Sequence, residues 1–366
     1  MSMRANHSAG FTLIELLVAA ALLAIVMIGV LNMLDTSTNI SKVESALADT
    51  QENVRFAAYH IMRTARMAGG AEMPFARTDG TWVTGRVLDD QSGTVTIPGF
   101  STVQVMPGSD VLILRGFFES PTFFTNRSDV TPAAGTVTIR EHRISGVATS
   151  DVINPLDTVP TTANALAGRG IVFMGVEEGV RTFQVGQITG WSLSGTAAGA
   201  DRQVIIQYSG GSGVWPTLNE GGTTLAAGTD PTFSVYRVGV LQSYAYWVRP
   251  DRTLMRRRAT ADASGYTDEP VAVDIGSLQV LIGIDTTNDG QPDAFNPNPT
   301  TADVTAGQVA AMRITVLGRT PFEVRNWTEP AETFDIPGDN PVLTLFNRSA
   351  KWRRMDVTAG LRNFSL

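Results

Sequence analysis

Asp285-x-Thr287-x-Asp289-Gly290-x-x-Asp293 places oxygen-bearing side chains at positions one, three, five and nine around a glycine turn, the spacing with which a short loop wraps calcium. Threonine at the third position is a weaker ligand than aspartate or asparagine, and Asn296 stands where a closing glutamate would be. The same residues also make an Asx-rich surface turn that needs no ion. A structural calcium is the one cofactor these residues could hold, and its expected effect is to stiffen the loop, not to perform chemistry.

Catalysis finds little support elsewhere. Ser212 in Gly210-Gly211-Ser212-Gly213-Val214 lacks the final glycine of a nucleophile elbow. The three histidines, His7, His60 and His142, are widely separated, no His-Glu-x-x-His pair occurs, and the chain has no cysteine. No enzymatic activity is expected. Arg256-Arg257-Arg258 and Lys351, Arg353 and Arg354 form basic clusters that could meet phosphate, or could charge a strand edge against unwanted pairing. A net charge of -7 argues against broad attraction to nucleic acid, which is not an expected partner. Phe117-Phe118 and Phe123-Phe124 could form a subunit-contact patch or cap the core.

Glu15 is the remaining residue of chemical interest, because of where it sits. A polar stretch with Arg4 and His7 is followed by an apolar run from Phe11 to about Leu34. As a helix this run spans about 36 Å, enough to cross a bilayer core of about 30 Å. Arg4 should stay cytoplasmic, which puts the rest of the chain outside. One turn into the run, an ionised Glu15 costs about 2.5 kcal/mol or more unless it is paired or near the interface. Ile40, Val43, Leu47, Val54, Ala58, Ile61 and Ala65 then recur at helical spacing up to Gly69-Gly70, predicting one helix of about 85 Å with an amphipathic second half. Beyond it, β-type runs such as Val111–Leu114, Thr136–Ile144, Val204–Ile206 and Val235–Val248 alternate with loops at Asp151–Gly168, Gly195–Ala200, Ser209–Asp230 and Asn288–Thr305. Tyr236, Val238, Val240, Tyr244, Tyr246 and Val248 share one parity, and Met312, Ile314 and Val316 alternate with Arg313 and Thr315. These patterns predict half-buried antiparallel strands.

Gly10-Phe11-Thr12-Leu13-Ile14-Glu15 followed by Leu16-Leu17-Val18-Ala19-Ala20 resembles the class III prepilin signal of type IV pilins and type II secretion pseudopilins. The resemblance implies cleavage after Gly10 by a membrane peptidase, N-methylation of Phe11, and a retained Glu15 that assists assembly. Gly10 offers a peptidase no side-chain obstruction, and removal of the polar leader frees the helix to leave the membrane. Glu15 could then pair with the α-amine of a neighbouring subunit. Gln51–Ala57, Met62–Gly69, Leu281–Gly290, Ala310–Val316 and Trp352–Asn363 also resemble the PilW group of minor type IV pilins. The stretch from about Ala71 to Val235 carries no such resemblance.

The expectation is therefore an α+β, pilin-like fold: a long helix packed on an antiparallel β-sheet domain with inserted strands and loops, in one sheet or two lobes. Its parts would be a leader (1–10), a transmembrane and assembly helix (11–34), an amphipathic continuation (35–68) and an external β-rich domain (69–366). The resemblance implies a minor pilin that primes or caps a filament, with roles in twitching motility or adhesion. A type II secretion pseudopilin, or an adhesin or DNA-uptake receptor mounted on a pilus, are the alternatives. Implied partners are major and minor pilins, the prepilin peptidase and methyltransferase, the inner-membrane assembly platform and membrane lipid. The implied location is the inner membrane as a single-pass precursor, then the pilus or cell surface.

Overall fold

A computed structural model describes residues 12–69, 73, 75, 82–98, 100–118, 123–129, 134–140, 169–177, 180–194, 203–209, 234–259, 266–300, 308–330, 333–334, 343–344 and 347–361. The predicted loops at 151–168 and 195–200, nearly all of 209–230, and His142 lie outside the described residues.

One helix, α1 (Leu13–Met67), is 55 residues long, about 82 Å at 1.5 Å per residue. Its last turn hands over to Ala68, whose N–H bonds the carbonyls of Thr64 and Ala65, and Gly69 turns the chain with φ +69°. That positive φ is open to glycine at no steric cost, which is why the helix ends here. Residues 12–42 of α1 and its cap are exposed throughout, whereas Ala46, Thr50, Val54, Ala57, Ala58, Ile61, Thr64 and Ala65 form a buried stripe. Burial thus begins later than the periodicity predicts: Ile40 is exposed and Val43 and Leu47 are only half-buried. Small residues dominate the stripe, so the sheet can approach closely.

The β region contains β1 (Gly85–Thr96), β2 (Thr102–Gly116), β3 (Phe123–Asp129), β4 (Ala134–Arg140), β5 (Gly170–Glu177), β6 (Val180–Ser194), β7 (Gln203–Ser209) and β8 (Ser234–Val248). It continues with β9 (Leu254–Ala259), β10 (Tyr266–Ala272), β11 (Ile275–Asp285), β12 (Ala294–Asn296), β13 (Gln308–Arg319), β14 (Thr333–Phe334), β15 (Leu343–Thr344) and β16 (Trp352–Gly360). All pairings recorded between these strands are antiparallel. A four-stranded sheet, β12-β11-β13-β16, lies against the buried stripe of α1. The larger array runs β1-β2-β8-β3-β4-β7-β6-β5, and β5 returns to pair with β8.

That return closes a ring. The first half of β8 pairs with β3 on one side and β5 on the other, so β8-β3-β4-β7-β6-β5 is a six-stranded barrel. Phe173 on β5 and Tyr208 on β7, two strands apart, have ring centroids 4.6 Å apart and fill its interior beside buried Ile171, Val238 and Ile206. The second half of β8 leaves the barrel to pair with β2 and β9. β8 is nevertheless buried on both faces from Val238 to Val248, not half-buried as its parity predicts, because cores cover both sides. Tyr244, Tyr246 and Val248 face the core shared with α1, while Ala245 and Trp247 pack with Val111, Ile113 and Met255.

Side chains from β2 join the two arrays. Ser109 Oγ accepts from Leu278 N at 3.1 Å and Asp110 Oδ2 from Val280 N at 2.7 Å, along the part of β11 that β12 does not reach. These oxygens satisfy edge amides that would otherwise be buried without partners, a loss of about 1–3 kcal/mol each.

Candidate assembly site

The exposed, apolar first half of α1 is the surface through which a helix-stemmed subunit can enter a membrane or bundle with its copies. The start of this helix is closed by a capping box. Thr12 N and Thr12 Oγ1 donate to Glu15 Oε2 at 2.9 and 2.8 Å, and Glu15 N donates to Thr12 Oγ1 at 3.4 Å. In the single subunit the Glu15 carboxylate therefore has local partners on its own chain. The pattern Thr-x-x-Glu was the sequence signal for this role, which a reading based on charge in lipid passes over. Gly10 and Phe11, the expected cleavage and methylation sites, lie outside the described residues.

Within the buried stripe by which the second half of α1 packs on the β domain, one close approach and one polar cluster stand out. A Cβ built on Gly318 of β13 would lie 2.3 Å from Val54 Cγ2 and 3.1 Å from Thr50 Cγ2, so only glycine permits this helix-to-sheet approach. Further along, the hydroxyls of Thr64 and Tyr246 are 2.9 Å apart, and Tyr246 OH lies 3.4 Å from His60 Nδ1. His60 also packs edge-on to the Tyr246 ring, with centroids 5.8 Å apart. Burial, then the charges of Arg256 and Arg63, hold the imidazole below its ordinary pKa, with Glu269 opposing in part.

Protonation of His60 is thus disfavoured in the folded chain relative to the unfolded one. Stability is expected to be level above an ordinary imidazole pKa of about 6.5 and to fall as pH drops through and below it. Denaturant midpoints measured at pH 7.5 and 5.5 should show this decline, and His60→Gln should flatten it. An unchanged slope in that variant assigns the pH dependence to other groups.

The residues proposed for calcium come together in one loop after β11. Asp285 Oδ1 accepts from Asn288 N at 2.6 Å and Asp289 N at 3.3 Å, and Asp285 Oδ2 from Gly290 N at 2.7 Å. Asp293 Oδ2 accepts from Thr286 N at 2.7 Å and Thr287 N at 3.0 Å, and Thr287 Oγ1 lies 3.4 Å from both Asp285 Oδ1 and Asp293 Oδ1. Asp289 Oδ1 instead accepts from Gln291 N at 2.8 Å. These amide bonds close the turn by themselves, and Gly290 supplies its required φ of +83°. A separate carboxylate group, Asp89, Asp90 and Asp110, meets on β1 and β2, where Asp110 is committed to Asp90 N and Val280 N. Burial raises the carboxyl pKa of Asp89, helped by the Asp90 charge, and that of Asp90.

Arg256, Arg257 and Arg258 do not line a sheet edge, because β9 lies between β8 and β10. Each is paired across the β9–β10 hairpin. Arg257 is bidentate to Asp268, with Nε to Oδ1 at 2.6 Å and Nη2 to Oδ2 at 2.7 Å, while Arg256 and Arg258 share Glu269. The buried Arg257 guanidinium also stacks 4.0 Å from the Tyr266 centroid. In the second basic cluster Arg354 pairs with Asp356, and Lys351 Nζ lies 4.6 Å from the Trp327 ring. Phe118 stacks on Tyr244 at 4.5 Å and Phe117 is accommodated beside Gly239, so both are half-buried core caps. The side chains of Phe123 and Phe124 lie outside the described residues.

A long apolar helix that starts at a capping box and carries an antiparallel β domain is a pilin-like fold. Two family models match this chain: the type IV pilus-assembly protein W (PilW) over residues 235–363, and the prokaryotic N-terminal methylation motif over residues 5–31. The chain is a type IV pilin-like protein with a prepilin-type N-terminal signal. Among solved structures, a type IV-like pilin from Thermus thermophilus is similar over 55% of this chain and 87% of its own, at 12% identity and a TM-score of 0.25. A likeness that distant supports no further argument. Among curated proteins there is no match. The PilW match begins at β8, so five of the six barrel strands lie outside both matched segments.

A pilin with such a signal is a partner of other pilins and of a prepilin peptidase, and its N-terminal helix fits anchoring in a membrane followed by entry into a pilus.

Proposed function

We propose that this chain is a minor type IV pilin, a structural subunit that primes or caps the filament and has no enzymatic activity. The observation that carries this reading is the enlargement of the β domain. A closed six-stranded barrel stands beside the sheet that α1 holds, on a chain that keeps the assembly signal. Such bulk would crowd a helical shaft but has room at a tip, where the barrel could serve adhesion or motility. Cleavage after Gly10 and methylation of Phe11 would convert the anchored precursor, held with its β domain outside the inner membrane, into an assembling subunit.

Immunogold labelling of an epitope-tagged chain tests this directly. One or a few copies confined to a filament end are expected; copies spaced along the shaft overturn the reading. The pseudopilin alternative predicts that deletion impairs type II secretion and spares pili. The DNA-receptor alternative is weakened by the pairing of Arg256, Arg257 and Arg258 with Asp268 and Glu269, which leaves those cations already matched.

Calcium in the Asp285–Asp293 loop is a separate part of the proposal. Should the ion bind through Asp285, Thr287, Asp289 and Asp293, the melting temperature will be higher in calcium than in chelator, and Asp289→Ala, which removes a ligand oxygen where asparagine would keep one, will abolish the difference. Identical melts in both buffers assign the loop to its Asx hydrogen bonds alone.

A further inference from the structure

The apolar run of α1 from Leu13 to Leu34 is about 33 Å long at 1.5 Å per residue, against a hydrocarbon thickness of about 30 Å. Asp35 is the first charged side chain after Glu15, which places it at headgroup level on the outer side. At this level the β domain returns to the helix. A groove of about 780 Å³ opens between the Asp35–Glu44 stretch of α1 and the chain around Phe322–Asn326, with Lys351 at its side. Its charged residues balance: Asp35, Glu44 and Glu323 against Lys42, Arg325 and Lys351. Phe322 is 43% exposed there, and just past the groove Trp327 lies under Lys351.

Aromatic residues and cations together are the side chains that favour a membrane–water interface, rings at headgroup depth and long cationic side chains reaching to phosphate. A charge-balanced site also complements a headgroup bearing both a phosphate and an ammonium. We propose that this groove seats phospholipid headgroups of the membrane that holds α1. Lys42, Arg325 and Lys351 take the phosphate, Asp35, Glu44 and Glu323 take an ammonium where the lipid has one, and Phe322 enters the interface. The proposal rests on the reading that the apolar run lies in a bilayer. It means that the anchored subunit is docked on the membrane surface, and that this contact is released when the subunit enters a filament.

The absence of native cysteine makes single-site spin labels clean. Full-length protein carrying Phe322→Cys, Leu22→Cys or Thr358→Cys would be labelled in phosphatidylethanolamine–phosphatidylglycerol vesicles. Collision with lipid-soluble oxygen and with a water-soluble nickel chelate is then measured. Thr358 is the remote control: Arg353 lies opposite Gly318, near the groove end of the helix contact, and β16 runs about 17 Å further to Thr358. The expected result is severalfold weaker nickel collision at 322 than at 358, moved towards the value at 358 by Arg325→Glu with Lys351→Glu. Equal nickel collision at 322 and 358, with Leu22 shielded in lipid, overturns the headgroup contact while leaving the anchor reading intact. A water-exposed Leu22 label overturns the anchor reading and the proposal with it. Spin–spin broadening at 322 that disappears on dilution with unlabelled protein assigns the groove to a second copy of the chain and also overturns the lipid proposal.

Discussion

Gly318→Val is expected to loosen the β domain from its helix and to cost about 3 kcal/mol or more of stability. The first side-chain atom added at this position would stand 2.3 Å from Val54 Cγ2, on a helix face packed against the four-stranded sheet. Neither partner can yield cheaply. Val54 is buried at 2% exposure and its branched side chain has few rotamers, while β13 is held between β11 and β16 on both edges. The strain must therefore move the helix away from the sheet along the Thr50–Val54 turn. Urea unfolding of detergent-solubilised protein would read the loss, and limited proteolysis would show whether cleavage concentrates near that turn. Gly318→Ala should show a smaller loss, and combining it with Val54→Ala should recover part of that loss because the colliding methyl is gone. Additive losses in the double variant would mean that the two residues are not coupled through this contact.

How much of this packing can be seen in the sequence depends on whether its partners are local. Helix α1 is legible because its apolar run and its amphipathic spacing are properties of neighbouring residues, ending where Gly69 takes a positive φ. The onset of burial at Ala46 is not legible, because it depends on where the four-stranded sheet reaches the helix. Strand β8 can be recognised by parity, but parity says nothing about the barrel, whose closure requires β3 and β5, far apart in sequence, to flank the same strand. The arginine triplet misleads for the same reason. Arg257 acquires its meaning from Asp268 across a hairpin, and only the register of β9 and β10 reveals that pairing. The Asp285–Asp293 loop is legible as a turn from residue spacing alone, since all its hydrogen bonds are short-range. At the N-terminus, Thr12 and Glu15 carry a capping pattern that can be read directly, and the structure shows it formed; the charge role of the same carboxylate is a separate expectation.

Separating those two roles gives the other large expected effect: Glu15→Gln should leave cleavage after Gly10 intact yet largely exclude the chain from filaments. A glutamine oxygen can still accept from Thr12 N and Thr12 Oγ1, so the helix start should keep its cap. What glutamine lacks is the charge that would pair with the new α-amine of a neighbour after the leader is removed. In hydrocarbon an unpaired charge costs about 2.5–3.5 kcal/mol, so losing that pairing corresponds to about a hundredfold lower incorporation. Intact mass of the N-terminal peptide, measured beside the amount of chain in sheared filaments, reads processing and assembly independently. Gly10→Val supplies the contrast, since a branched side chain at the cleavage site should retain residues 1–10 and block both steps. Normal incorporation of Glu15→Gln would assign the carboxylate to the capping box alone. In that case the register of helices in the filament must be set by the apolar surface of α1, whose exposed leucines, isoleucines and valines present no charge to align.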